Sequence, residues 1–373
     1  MLTQTIQLVV QATPFCNLDC SYCYLPDRAD HRVLPDEVLT KTLSFLAECA
    51  AGEVDVRWHA GEPLVVPPDT YARWCDTASR IAGSRLRLSH SVQTNGTLLD
   101  ERWCRLFREM GFRVGVSIDG PAHLHDSQRR TRRGGGTFDR VMRGITHLLA
   151  SEVPFDTISV VTPATLRLQD DFLEFFADLR PRSLGINVEE SEGTHVSRAL
   201  STPEFVDGFE RFARHLSVWE RRTGIVVREF QRIRDLVLAP PESIANSQNV
   251  PFAILTVDAA GNLFTFSPEL AGLGHPRYAT FAIGNVLTDP LATILESPVL
   301  ASLAAEVRTG VDLCRAECEY YCLCGGGAPS NKLFENGTFA STETLMCRCI
   351  VKAAADAVLD DLEASMPSVA EYV

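Results

Sequence analysis

Six short apolar runs alternate with longer amphipathic stretches through the first half of the chain. The runs cover residues 5–12, 54–58, 87–93, 113–118, 157–161 and 184–188. The stretches at 35–51, 69–82, 101–110, 138–151 and 170–178 carry helical periodicity. Strand-length runs parted by helix-length ones imply a parallel sheet with helices outside it, because parallel neighbours need a crossover. Six repeats over about 220 residues suit an open, partial (β/α)6 barrel better than a closed eight-fold one. In such barrels the chemistry sits at the carboxyl ends of the strands. The residues just after each run are therefore the first candidates for a site.

Directly after the first run stands Cys16-Asn-Leu-Asp-Cys20-Ser-Tyr-Cys23. Three thiolates on so short a loop can converge on one metal centre. Iron–sulfur cubes are normally held by four Cys, so three leave one iron open to bind a substrate. The chain has 12 Cys in 373 residues. The first 15 residues lack a basic start followed by an apolar stretch, so no secretion signal is read there. Without export, disulfides are not expected. Three Cys lie at 16–23 and six at 314–349. Cys49, Cys75 and Cys104 are scattered and read as core thiols.

Hydrophobic content of 45% and charged content of 22% are ordinary for a globular chain. No apolar run is long enough to span a bilayer. A formal net charge of −13 argues against nucleic acid, whose phosphates need a basic surface. The expectation is a cytoplasmic protein with neither nucleic acid nor membrane as partner. Further helices are expected at 202–222 and 228–238, then a boundary at Pro240-Pro241. Runs at 252–257 and 262–266 flank Asp258-Ala-Ala-Gly261, a hairpin signal. A short run at 282–286, a helix near 291–307 and a closing helix at 342–364 follow. The expected organisation is a barrel over 1–239, a second domain over 240–365 and a tail over 366–373.

The chain resembles the radical S-adenosylmethionine (radical SAM) family. The C-x3-C-x2-C loop with Tyr22 matches its motif, and three more segments occur in order at strand ends. Trp58-His-Ala-Gly-Glu-Pro63 is similar to the GGEP motif, with Ala60 in place of the first Gly. Gln93-Thr-Asn-Gly-Thr97 ends the third strand, and Val116-Ser-Ile-Asp-Gly-Pro121 the fourth, with Arg129 close behind. The resemblance implies that Cys16, Cys20 and Cys23 hold a SAM-binding [4Fe–4S] cluster. It places the SAM amino group against Ala60, Gly61 and Glu62. The SAM carboxylate would meet Arg129, whose planar fork suits it, and Ser117. Thr94 or Asn95 would meet the ribose, and Tyr22 and Tyr24 would border the adenine. The remaining arginines of Arg129-Arg-Thr-Arg-Arg133 read as a solvated loop.

The second Cys group, Cys314-x3-Cys318-x3-Cys322-x-Cys324-Gly-Gly-Gly and then Cys347-x-Cys349, resembles the SPASM domain. By position the resemblance assigns one auxiliary [4Fe–4S] cluster to Cys314, Cys318, Cys324 and Cys347, with Cys322 and Cys349 spare. Zinc accepts four thiolates equally well. The family's other auxiliary cluster is expected to be absent, because Ser267 and Ala328 stand where its Cys would be. The segment from Cys324 to Gly337, with Thr265-Phe-Ser-Pro-Glu-Leu270, resembles the GrrM-type maturases. That implies a C–C crosslink, a cyclophane, between an aromatic ring and a β-carbon of a ribosomally made precursor peptide. Glu269 is the candidate proton acceptor, and an external flavodoxin- or ferredoxin-type donor is implied. Formylglycine-generating sulfatase maturases and thioether-forming maturases are the alternatives. With 15 residues before Cys16, no fused recognition module is expected.

Overall fold

The computed structural model describes residues 5–197, 202–239, 244 and 246–365. The Pro240-Pro241 boundary and the tail at 366–373 lie outside the described residues. The first half reads β1 (Ile6–Val10), α1 (Asp36–Cys49), β2 (Gly52–Trp58), α2 (Pro68–Ala82), β3 (Leu86–Thr94), α3 (Glu101–Met110) and β4 (Arg113–Ser117). It continues with α4 (Ala122–Gln128), α5 (Phe138–Ala150), β5 (Phe155–Val161), α6 (Pro163–Arg167), α7 (Gln169–Leu179) and β6 (Ser183–Val188). Then come α8 (Pro203–Thr223), β7 (Val226–Val227) and α9 (Arg228–Leu238).

β1 to β6 pair in parallel in chain order, and β7 adds to the far edge. This is the open barrel read from the alternation. Along β5 the burial alternates strictly, with Phe155, Thr157, Ser159 and Val161 buried, and Phe155 and Val161 joining the core under the helices. Asp156, Ile158 and Val160 line the barrel interior instead. A strand's period of two makes this division. Local signals set the helix ends. The Asp100 side chain caps α3 by accepting from Trp103 N, and Gly111 ends it in the left-handed region at φ 65°.

The hairpin β8 (Ile254–Val257) and β9 (Asn262–Thr265) returns to the barrel. β8 pairs in parallel with β1, from Gln7 opposite Ile254 to Val10 opposite Val257. After a small hairpin, β10 (Gly274–His275) and β11 (Ala279–Thr280), β12 (Gly284–Asn285) pairs with β9. Ten strands thus form one sheet, and the C-terminal portion is built onto the first barrel strand. The helix expected at 291–307 is two, α10 (Leu291–Leu295) and α11 (Pro298–Glu317), because Pro298 starts a new helix at its first position. α12 (Tyr321–Cys324) and α13 (Pro329–Asn336) follow. The closing helix starts later than expected, with a π-helical turn at Cys347–Ala353 before α14 (Ala354–Ser365). Such turns are rare and favour functional sites.

Most buried apolar side chains form one core under the barrel helices, which also takes in Cys349, Ala353, Ala354, Ala355, Ala357 and Val358. A second core of Phe264, Phe266, Leu270, Phe281, Leu303 and Phe339 supports the C-terminal loops. Cys49, Cys75 and Cys104 are buried, as expected of core thiols.

The turn after β2 is strained. Ala60 has φ 71° and is 4% exposed, a left-handed conformation that a Cβ disfavours. Gly61 follows at φ 67°, where a Cβ would stand 2.2 Å from Thr13 O. Ala60→Gly is expected to stabilise the fold by about 1 kcal/mol. The check is urea unfolding, in which the midpoint rises and the slope does not change.

Candidate active site

A cavity of about 460 Å³ runs along the barrel interior, from Cys16, Cys20 and Cys23 and the carboxyl ends of β2 to β6 at the mouth to Arg113, Asp156 and Ser183 near the amino ends of β4 to β6. The three thiols are partly exposed to it. Burial pushes the Cys16 thiol up to about 12, and Glu62, Cys20 and Cys23 add to the effect. Burial takes Cys20 to about 11, against the pull of Arg129. These thiols would keep their protons alone and release them to a metal, as ligand sets do. Together with Cys23, which lines the same cavity, they would hold it. The loop is clamped by backbone bonds, with Asp19 N donating to Arg130 O at 2.7 Å and Ser21 N to Gln128 O at 3.0 Å. Arg130, Arg132 and Arg133 are exposed, as expected of a solvated loop, but Arg132 also touches the Cys loop. Its Nε donates to Cys16 O at 2.9 Å and its guanidinium lies over the Phe15 ring.

Glu62 is 1% exposed and both its oxygens are engaged. Oε1 accepts from Leu64 N at 2.9 Å and Thr94 Oγ1 at 2.6 Å, and Oε2 from Asn95 N at 2.8 Å. The side chain ties the ends of β2 and β3 together. Burial raises its pKa despite these bonds. Asn95 Nδ2 donates to Asn17 Oδ1 at 2.8 Å, reaching the Cys loop. Ser117 Oγ accepts from Gln93 Nε2 at 2.9 Å, which leaves its own O–H to donate into the cavity. Gly115 makes this bond possible, since a Cβ there would stand 2.2 Å from Gln93 Oε1.

Arg129 does not stand alone. Asp119 accepts from its Nε at 2.9 Å and its Nη2 at 3.1 Å, a bidentate pair. The side chains are 9% and 2% exposed. Burial opposes the charge on Arg129, but Asp119 outweighs it and raises the guanidinium pKa. Asp119 also accepts from Tyr22 Oη and from Val160 N at 3.0 Å. The Arg129 guanidinium lies 5.4 Å from the Tyr22 ring centre. Asp119 therefore fixes two of the predicted site residues, and sequence reasoning gave it no role. Its signal was the Ser117-Ile-Asp-Gly120 turn at a strand end. Asp119→Ala should destabilise the protein by about 3–5 kcal/mol, the usual cost of stranding one partner of a buried pair. Denaturant unfolding checks this, and Asp119→Asn should recover part of the loss.

The far wall of the cavity is acidic. Tyr24 Oη lies 3.4 Å from His59 Nε2. Burial and Arg57 lower the His59 pKa to about 4. Beyond Tyr24 stand Glu190, Glu192 and Glu269, which line this cavity and a second one of about 370 Å³. Burial raises all three carboxyls, and Glu190 reaches about 8 with Glu269 as the next cause. Asn331 Nδ2 donates to Glu190, and Ser267 Oγ bonds Glu269. Glu190 and Glu192 were not singled out from the sequence. Their place after β6, in Glu189-Glu-Ser-Glu192, was the available signal.

The second cavity is walled by Cys324 and Cys347. Cys314 sits on the last turn of α11, Cys318 at its C-cap, Cys324 at the end of α12 and Cys347 at the start of the π-helical turn. Each of Cys314 and Cys347 feels the charges of Cys318 and Cys324, and burial pushes Cys347 up to about 12. The Gly325–Gly327 turn is held by Asn246 Nδ2 on Cys324 O and Gly327 O, both at 3.1 Å. Cys322 is exposed, and Cys349 is fully buried in the main core. Among the described residues no three His, Cys, Asp or Glu side chains surround a single-ion position.

An open parallel barrel with a three-thiol loop at its mouth defines an enzyme whose site lies at the strand ends. The radical SAM superfamily model matches residues 10–166. The uncharacterized protein sll1766 of Synechocystis sp. is 37% identical over 369 residues, spanning 96% of this chain and 92% of that one. A serine-type anaerobic sulfatase-maturating enzyme of Bacteroides thetaiotaomicron is 26% identical over 339 residues, spanning 85% and 80%. The solved structure of native anSMEcpe with bound AdoMet and Kp18Cys peptide superposes with a TM-score of 0.78 at 20% identity, spanning 99% of this chain and 100% of that one. The chain belongs to the radical SAM superfamily. It is a radical SAM enzyme, with SAM as its cofactor. Among the described residues no helix is long and apolar enough to cross a membrane.

Proposed function

We propose that this enzyme crosslinks a ribosomally made precursor peptide, joining an aromatic ring to the β-carbon of a residue two positions later. One observation carries the reading: Glu190, Glu192 and Glu269 line both the cavity of Cys16, Cys20 and Cys23 and the cavity of Cys324 and Cys347. When bound, SAM with its cluster supplies a 5′-deoxyadenosyl radical that removes one hydrogen atom, and a second cluster supplies a one-electron acceptor. The carbon radical adds to the ring. The ring then loses one electron and one proton, so the product is two hydrogens lighter. Glu269 takes the proton. The wall it shares with Glu190 and Glu192 lies between the hydrogen-abstracting site and the electron acceptor.

Cys16, Cys20 and Cys23 would hold the first cluster, and Cys314, Cys318, Cys324 and Cys347 the second. The backbone of Ala60 and Gly61 faces the SAM amino group. Glu62 positions that turn, since its oxygens already serve Leu64, Thr94 and Asn95. Arg129, held by Asp119, and Ser117 bind the SAM carboxylate. Thr94 and Asn95 border the ribose, and Tyr22 and Tyr24 the adenine. The precursor peptide and an external flavodoxin- or ferredoxin-type donor are the partners, in the cytoplasm.

Formylglycine formation is the second reading, favoured by the likeness to the sulfatase-maturating enzyme. Against it stand Ser267 and Ala328, where that family's other auxiliary cluster needs Cys. Ser267 is fully buried and its Oγ lies 3.2 Å from Ser330 Oγ, so the position is filled by hydrogen bonding. Tandem mass spectrometry of a precursor peptide, co-expressed without oxygen, decides between them. A loss of two hydrogens, with no backbone fragments inside one three-residue segment that begins at an aromatic, supports the crosslink. A change centred on Cys or Ser sinks it.

Glu269→Gln should cut crosslinking roughly a hundredfold or more while SAM cleavage continues. Burial raises the Glu269 pKa, and a proton acceptor works only when ionised. Wild-type crosslinking should therefore rise with pH above the ordinary carboxylate range, and the variant should lose that rise. Both are read from single-turnover rates across pH.

A further inference from the structure

Lys332 lies on α13 and is 3% exposed. Its Nζ donates to Gly310 O at 2.9 Å and to Cys314 Sγ at 3.3 Å. The space for it is made by Gly310, where a Cβ would stand 3.1 Å from Nζ. Among the described residues no carboxylate forms an ion pair with Lys332. A buried ammonium needs a counter-charge, because water no longer solvates it and a carbonyl offers only a dipole. Among the described residues, the partner of Nζ that becomes anionic on binding a metal is the sulfur of Cys314. The other lysine near this thiol group differs. Lys352 is bonded to Glu343 and half-exposed, so its charge is already balanced.

We infer that Lys332 is the fixed counter-charge of the cluster held by Cys314, Cys318, Cys324 and Cys347, and that it raises the potential of that cluster so that it can accept the substrate's electron. The inference rests on the reading of these four thiols as one cluster's ligands. A cluster with four thiolate ligands becomes more negative by one unit charge on reduction. A cation at fixed distance stabilises the more negative form more, so the midpoint moves up. A hydrogen bond to a ligand sulfur acts in the same direction, by drawing charge off the metal. One electron leaves the substrate and enters the cluster. The electron-accepting step is thus tuned from α13.

The test compares the wild-type full chain, loaded without oxygen, with Lys332→Met, Lys332→Arg and Lys352→Met. Iron and sulfide content is measured first, then the midpoint of the auxiliary cluster by redox titration followed by electron paramagnetic resonance. SAM is added to mark the signal of the other cluster. Lys332→Met should keep both clusters and titrate at a more negative potential. Lys332→Arg should stay near the wild type, and Lys352→Met should shift less than Lys332→Met. An unshifted midpoint in fully loaded Lys332→Met overturns the inference, as does an equal shift in Lys332→Arg. If Lys332→Met does not load the second cluster, Lys332→Arg decides. Loading with a wild-type midpoint supports the charge, and failure to load shows that shape is what matters there. A wild-type chain that holds only the SAM cluster sinks the four-thiol reading instead.

Discussion

Cys20→Ala is expected to abolish SAM cleavage, a fall to background on the order of a millionfold. The three thiols of Cys16, Cys20 and Cys23 face one cavity, and a cube left with two protein ligands is not retained. The loop itself should survive the change. It is pinned on both sides of Cys20, by Asp19 N on Arg130 O and Ser21 N on Gln128 O, and neither bond uses the thiol. Circular dichroism and denaturant unfolding should therefore match the wild type once the metal is stripped from both. Iron analysis and reductive SAM cleavage are the measurements. A variant that still cleaves SAM would remove Cys20 from the ligand set.

Cys314→Ala is expected to separate the two halves of the reaction. SAM cleavage continues, because the mouth of the barrel is untouched, and crosslinked peptide falls below detection. The cause is electronic. In the proposed reaction the ring must give up an electron as well as a proton once the carbon radical has added, and the variant would have no acceptor beside the site. It should also lose about 3 kcal/mol or more of stability, since Lys332 is left buried without an anion. Pairing Cys314→Ala with Lys332→Met should restore part of that stability without restoring crosslinking, which separates folding from chemistry. Full crosslinking by the single variant would end the electron-acceptor role of the second thiol group.

The strand order and the place of the site were legible because parallel β/α repeats carry two clear periods. The six runs at 5–12 to 184–188 became β1 to β6 within a residue or two, and their carboxyl ends form the cavity. The C-terminal half was less legible. Pro298 and the π-helical turn at Cys347–Ala353 break periodicity where the chain bends to bring thiols together. Such breaks look like noise in a hydrophobic pattern. The pairing of β8 with β1 joins residues about 250 apart, and no local signal encodes it.

The sequence by itself determined which chemistry this chain is built for. Cysteine spacing is a local property, and a loop of eight residues fixes it whatever the rest of the chain does. It also determined the barrel, since periodicity is read over a few turns. Only the tertiary structure decided what each side chain is free to do. Arg129 and Tyr22 are held by Asp119, and Glu62 is consumed by the turn it caps. Glu190 and Glu192 meet Glu269 only because β6 and the C-terminal portion close over the same opening. Lys332 finds its anion across 18 residues of chain, in a pocket where Gly310 leaves room. Charge and hydrogen-bond capacity belong to the residue. Which partner claims them depends on distance and burial, and these exist only once the chain has folded.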